Sequence, residues 1–260
     1  MTIYLLFAAI VAYGGAALLH LRAQRDRRLA RAGAIATAVA LLLQALVLAA
    51  QAVRGLPLDV FDWLQAAVFT FVLAFALWTR GGRGAGSGAI VLPIAFVIIA
   101  ATTLLDRGKG HAPLHGSTLL WLHVGFLAVG FACLALAGAA ALLRRLAEAR
   151  LRRGVLGAVA PLTQLHAGVR QFLAAGLVLD AVGIALGAIY AKSVWGAYWS
   201  WDPKETATLA VWLIDLLAYL SVRAGRRLAL ADWLAAAGLV GMLVNVWAIG
   251  LQAGPHYFNW

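Results

Sequence analysis

The segment WGAYWSWDPKE, from Trp195 to Glu205, sets Trp195, Tyr198, Trp199 and Trp201 directly before Asp202, Pro203, Lys204 and Glu205. Broad aromatic faces beside a charged edge suit a large, flat, apolar ligand with a polar rim. Haem is such a ligand, its porphyrin packing on indole faces. Trp195 and Trp199 stand four apart and share a face if the segment is helical. An interfacial aromatic belt accounts for one or two tryptophans, but poorly for three in a short loop with Tyr190 and Tyr198 beside them. Asp202 also fits the N-cap of a following helix, with Pro203 at the first helical position and Glu205 where a capping-box acid belongs. That leaves Lys204, a point charge able to meet a propionate.

Iron needs ligands, and the chain has six histidines. His123, in LLWLHVGF, and His256, in AGPHYF, are the candidates for axial ligation, since neutral imidazoles bind haem iron from both faces. His111 and His115 are separated by Pro113, which argues against one helical face, and read as loop residues. His20 and His166 end or precede apolar stretches on the opposite side. Asp180, Asp215, Asn245 and Gln252 fall within apolar stretches and are expected to face a helical interior. Cys133 is the one cysteine. No disulfide within the chain and no Cys-x-x-Cys-His attachment of haem to this chain is therefore possible. The residues identify no catalytic side chain.

The elements that position these residues are apolar helices. The chain of 260 residues is 64% hydrophobic and 12% charged, against roughly half and a quarter in soluble domains. That composition predicts an all-α, polytopic membrane helix bundle, a single integral domain over 1–260 that lies in the lipid bilayer. About 20 apolar residues cross the hydrocarbon core. Eight stretches qualify: 2–21, 33–53, 62–79, 88–105, 117–143, 171–191, 206–222 and 230–251. The first has its charges after the apolar run and no small-residue cleavage site, so it reads as a retained span.

The net charge of +11 comes in short runs between spans, which points to membrane orientation and away from nucleic acid. Most of the 21 lysines and arginines fall in alternate loops, after the first, third, fifth and seventh stretches. By the positive-inside rule those loops face the cytoplasm and both termini face outward. The tryptophan loop 195–205, His123 and His256 are then all on the outer side.

WGAYWSWDPKE, extended through GAIYAKSVWGAYW upstream and LAVWLIDLLAYL downstream, resembles the tryptophan-rich WWD signature of the cytochrome c assembly family, CcsA- or ResC-type haem-handling membrane proteins. The resemblance is strongest over 117–256. It implies that the motif holds haem b on the outer face of the bacterial inner membrane, with His123 and His256 as axial ligands. It also implies a CcsB-like partner and delivery or attachment of haem to apocytochromes bearing Cys-x-x-Cys-His, as part of a cytochrome c haem lyase. Two departures stand out. Ser221 follows Tyr219-Leu220 where these proteins commonly have a histidine, and Ala207 replaces a tryptophan after Thr206. The first favours an alternative role, that of the short HemX-like relatives, which bind haem or regulate its synthesis without catalysis. His20, also at a cytoplasmic span end, is the candidate substitute ligand.

Overall fold

The structure, a computed structural model, describes residues 2–26, 28–53, 60–82, 84–104, 117–155, 160–225 and 228–245. Among them are eight α-helices: α1 (Thr2–Ala23), α2 (Leu29–Val53), α3 (Val60–Trp78), α4 (Gly88–Leu104), α5 (Thr118–Arg152), α6 (Leu162–Trp195), α7 (Pro203–Arg223) and α8 (Leu228–Val244). Each expected stretch is a helix over its described residues; 105 of the fourth and 246–251 of the eighth lie outside them. Five of them (α1, α2, α5, α6 and α7) are long and apolar enough to cross a membrane, and α3, α4 and α8 are shorter apolar helices. The chain is a multi-pass membrane protein. Large apolar side chains such as Val11, Val53 and Val178 point outward, while Gln44, Asp180 and Asp215 are buried. That inversion suits a hydrocarbon solvent, in which only internal partners satisfy polar groups.

Two helices exceed their expected spans by more than two turns at one end. α5 and α6 have 35 and 34 residues, or roughly 50 Å each at 1.5 Å per residue. The sequence reading ended the fifth span before Arg144, where hydropathy falls. The helix continues because Arg, Leu, Ala and Glu are good helix formers, and Glu148 accepts from Arg145 and Arg152 at 2.7 and 2.9 Å, three and four residues away. The start of α6 at Leu162, after Pro161, follows the same logic: a polar helical turn carries little hydropathy signal.

By internal packing the chain divides into two compact units, Met1–Gly108 with Leu143–His166, and Lys109–Leu142 with Ala167–Trp260. In the first, α1 and α2 form an antiparallel hairpin tied by polar rungs. The Tyr13 hydroxyl donates to Gln44 Oε1, and His20 Nε2 lies 3.1 Å from Thr37 Oγ1. Gln44 then donates to the carbonyl of Gln65 on α3 at 2.8 Å. α4 returns along α1, with Phe96 against Gly14 and His20 against Gly88.

The second unit is a closed set of four helices. Along α5 and α6 small residues face large ones at each rung: Gly187 against His123, Gly183 against Leu127, Gly130 against Asp180 and Gly176 against Leu134. The two numbers in each of these pairs have the same sum, the signature of one antiparallel register. α6 meets α7 where Trp212 Nε1 donates to the Leu177 carbonyl at 3.0 Å. α7 meets α8 at Thr208–Asn245, 2.8 Å, at Val211–Gly241 and at Asp215–Gly238. α8 closes on α5, where Gly138 lies against Ala235 and Leu239. Lipid offers helices no hydrophobic drive to associate, so close backbone approach at small residues supplies much of the attraction.

The glycine rungs make a paired prediction. A Cβ at Gly183 would lie 2.7 Å from Leu127 Cδ2 and 3.2 Å from the Leu127 backbone nitrogen, whereas one at Gly125 meets nothing within 4 Å. Gly183→Leu should lower stability in detergent by about 1–3 kcal/mol through overpacking. Gly125→Ala should raise it by up to about 1 kcal/mol through helix propensity. Thermal unfolding of the two variants beside the parent chain checks both signs.

Candidate functional site

The site is built in the second unit, from the start of α5, the end of α6 and the segment leading into α7. α6 ends at Trp195 because Gly196 takes φ 79°, a left-handed value that glycine adopts without strain. The residues 196–202 are not helical. Trp195 and Trp199 therefore do not share a helical face, and that conditional expectation is corrected. The aromatic rings instead form two edge-on pairs. Tyr190 meets Trp195 at 6.3 Å between centroids and 81°. Trp199 meets Trp201 at 6.0 Å and 85°. Lys192 lies 5.5 Å over the Tyr198 ring and donates to the Gly196 carbonyl at 2.7 Å, which ties the loop to the helix it leaves.

Trp201 is held at φ 58°, the one positive value recorded for a residue other than glycine among the described residues, and its side chain is 75% exposed. A left-handed bulky residue costs on the order of 1–3 kcal/mol and persists only where its surroundings over-determine it. The next residues show what does so. Asp202 is buried and caps α7, its Oδ1 accepting from the backbone of Lys204 at 2.7 Å and of Glu205 at 3.4 Å. Pro203 opens the helix, as expected. Glu205 does not close a standard capping box. Its Oε2 reaches two residues further back, accepting from Ser200 N at 2.8 Å and Ser200 Oγ at 3.0 Å. Chain entry is thus pinned at 200 and 202, and Trp201 is left between, turned outward.

His123 is half-buried in the second turn of α5. Its Nδ1 lies 2.7 Å from the Gly183 carbonyl oxygen. A carbonyl only accepts, so Nδ1 carries the proton and Nε2 of the neutral ring carries the lone pair. Metal-ligating histidines are commonly oriented in this way, by a carbonyl on the other nitrogen. The ring fits because Gly187 has no side chain: a Cβ there would stand 2.5 Å from Cε1. Trp195 lies two turns beyond Gly187 on α6, about 12 Å along the axis. The Gly183–Gly187 pair was the element missed in the sequence. Its signal was present as the small-x-x-x-small spacing GIALG at 183–187.

Two further features offer donors to a carboxylate ligand edge. Trp199 Nε1 is buried without a hydrogen-bond partner, and Lys204 is half-buried beside Asp202. His256, His111 and His115 lie outside the described residues. Ser221 donates back to the Leu217 carbonyl at 2.8 Å. His20, in the other unit, is a packing residue. Thr37 spends its hydroxyl proton on the Gly33 carbonyl at 2.8 Å, so it accepts from His20 Nε2. Gly33, Gly88 and the Phe75 edge enclose the ring. Asp180 and Asp215 face the interior as expected, each against a glycine.

Asp202 allows a clean separation of cap from charge. Asp202→Asn keeps an acceptor for the two N–H groups and should leave stability within a few tenths of a kcal/mol, while Asp202→Ala should lose about 1 kcal/mol. Chemical or thermal unfolding of both variants tests this, and equal losses would contradict a capping role.

No solved structure matches the chain. The family model for the cytochrome C assembly protein matches residues 29–252. The cytochrome c biogenesis protein CcsA of Synechococcus sp. (strain CC9311) is 46% identical over 93 residues, 33% of this chain and 28% of that protein. CcsA of Gloeobacter violaceus is 41% identical over 96 residues, 35% and 27% of the two chains. CcsA of Synechococcus sp. (strain CC9902) is 31% identical over 198 residues, 64% of each. The chain thus spans less than two thirds of the length of these relatives. The family match covers all of α2 to α8 and the whole tryptophan segment, and on that ground the chain belongs to the cytochrome c assembly family.

Proposed function

We propose that this protein acts in cytochrome c biogenesis, binding haem b at the tryptophan segment and delivering it to apocytochromes on the outer face of the bacterial inner membrane. In this reading the chain is one integral membrane domain with both termini outward. The observation that carries the proposal is the His123–Gly183 hydrogen bond, which aims a lone-pair nitrogen from a rigid helix pair and fixes its tautomer. His123 and His256 are the proposed iron ligands. Trp195, Tyr198, Trp199 and Trp201 supply the aromatic faces. Lys204 and the unpartnered indole N–H of Trp199 suit the propionate edge, and Asp202 holds the segment in place.

The ligand is cargo. Its vinyl groups receive the two thiols of a Cys-x-x-Cys-His apocytochrome, each S–H adding across a C=C bond with no net oxidation. Such a step asks little of protein acids and bases. Positioning of haem and peptide supplies the rate. A CcsB-like membrane protein is the proposed partner. A second reading, a HemX-like protein that binds haem without attaching it, is favoured by Ser221, whose hydroxyl is turned to its own helix where a histidine is commonly found in the CcsA type.

Haem staining of membrane cytochromes in a strain dependent on this gene separates the readings. His123→Ala should abolish covalent c-type haem, and His20→Ala should not. Loss of free haem binding with normal covalent staining would favour the HemX-like role, and no effect on either would contradict the site.

A further inference from the structure

A cleft of about 810 Å³ opens in the first unit, far in sequence from the tryptophan segment. Its volume falls in the range of ligand sites, roughly 300–1,000 Å³. Two kinds of group line it. Arg22, Arg25 and Arg150 contribute three guanidinium groups, and Leu21, Ile90 and Leu146 form apolar wall.

Glu148, the acid nearest Arg150 in sequence, is held by Arg145 and Arg152. Asp26 accepts from the backbone of Arg28 at 2.9 Å. Among the described residues none of the three cleft arginines has a carboxylate partner. One of them is nonetheless positioned. Gln24 donates to the Gly86 carbonyl at 3.0 Å and accepts from Arg150 at 3.4 Å, so a side chain anchored to the turn before α4 steers the guanidinium of α5. A site with fixed cations and an apolar flank calls for an anionic amphiphile.

We propose that the cleft binds an anionic glycerophospholipid, its phosphate on Arg22, Arg25 and Arg150 and one acyl chain along Leu21, Ile90 and Leu146. Haem is the other amphiphilic anion to weigh, and the lining speaks against it. Among the described residues that line the cleft there is no histidine, cysteine, methionine or tyrosine to ligate iron, and no aromatic face for a porphyrin. Arginine-bearing recesses at helix ends lie at headgroup depth, where they recognise lipid phosphates. This inference goes beyond haem handling and does not depend on it, since the cleft shares no residue with the tryptophan site.

The test is native mass spectrometry of the full chain released from nanodiscs containing phosphatidylglycerol and phosphatidylcholine with identical acyl chains. The parent chain should retain one phosphatidylglycerol. The triple variant Arg22→Gln, Arg25→Gln, Arg150→Gln should retain it roughly a hundredfold less, from about 1 kcal/mol for each of the three arginines. The triple variant Arg145→Gln, Arg152→Gln, Arg153→Gln removes the same charge outside the cleft and should behave as the parent. Ala89→Trp, which fills the cleft with its arginines intact, should also lose the lipid. Equal loss in both triples would overturn the proposal in favour of diffuse charge. Equal retention of phosphatidylcholine, displacement by inorganic phosphate alone, or displacement by haemin would overturn it in favour of no lipid selectivity, a phosphate site or a haem site.

Discussion

The hydrogen bond from His123 to the Gly183 carbonyl depends on two backbones lying close enough for a histidine ring to bridge them. That approach is set by the α5–α6 register, in which glycines on one helix meet Leu127, Leu134, His123 and Asp180 on the other. An interhelical hydrogen bond within a membrane is worth only about 0.6–1.7 kcal/mol, too little to impose the register alone. The steric fit of four rungs imposes it, and the hydrogen bond then uses the geometry to orient the ring. Shift α6 by one residue and Gly183 and Gly187 no longer face the histidine. The remaining contacts of the unit, Trp212 on Leu177, Asp215 against Gly238 and Gly138 against Leu239, close α7 and α8 onto the same pair.

The tryptophan segment is governed by a different constraint. Helix α6 must end and α7 must begin within seven residues. Gly196 ends the first by its left-handed φ, and Asp202 with Glu205 begins the second. Trp201 absorbs the mismatch in a strained backbone conformation and is left exposed. An outward indole on a pinned backbone is a poor way to stabilise a protein and a good way to present a flat surface to a ligand. Backbone strain of this kind clusters at active sites and ligand clamps.

The helices, their order and the Asp202 cap were legible in the sequence because each has a local signal: an apolar run long enough for a bilayer, or an acid-proline-x-acid sequence at a helix start. His123 was legible as a candidate from its type and its apolar surroundings. What was not legible is longer in range. The polar ends of α5 and α6 carry no hydropathy signal, so both helices were read short. The shared face of Trp195 and Trp199 assumed a helix that Gly196 interrupts. The partnering of Gly183 with His123 joins residues 60 apart and requires a register that no single stretch encodes. The spacing GIALG hinted at a close approach without saying to what. Asp180 and Asp215 were correctly placed inside, but their glycine neighbours, which make room for them, became visible only with the helices assembled.

The central claim is that His123, oriented by Gly183, ligates haem iron beside the tryptophan segment. Reduced and oxidised absorption spectra of the purified protein, recorded for the parent chain and for His123→Ala with haem added during expression, test it most directly. The account predicts sharp reduced visible bands of six-coordinate haem in the parent and their loss or broadening in the variant. A parent chain that takes up no haem, or a variant with an unchanged spectrum, would contradict it.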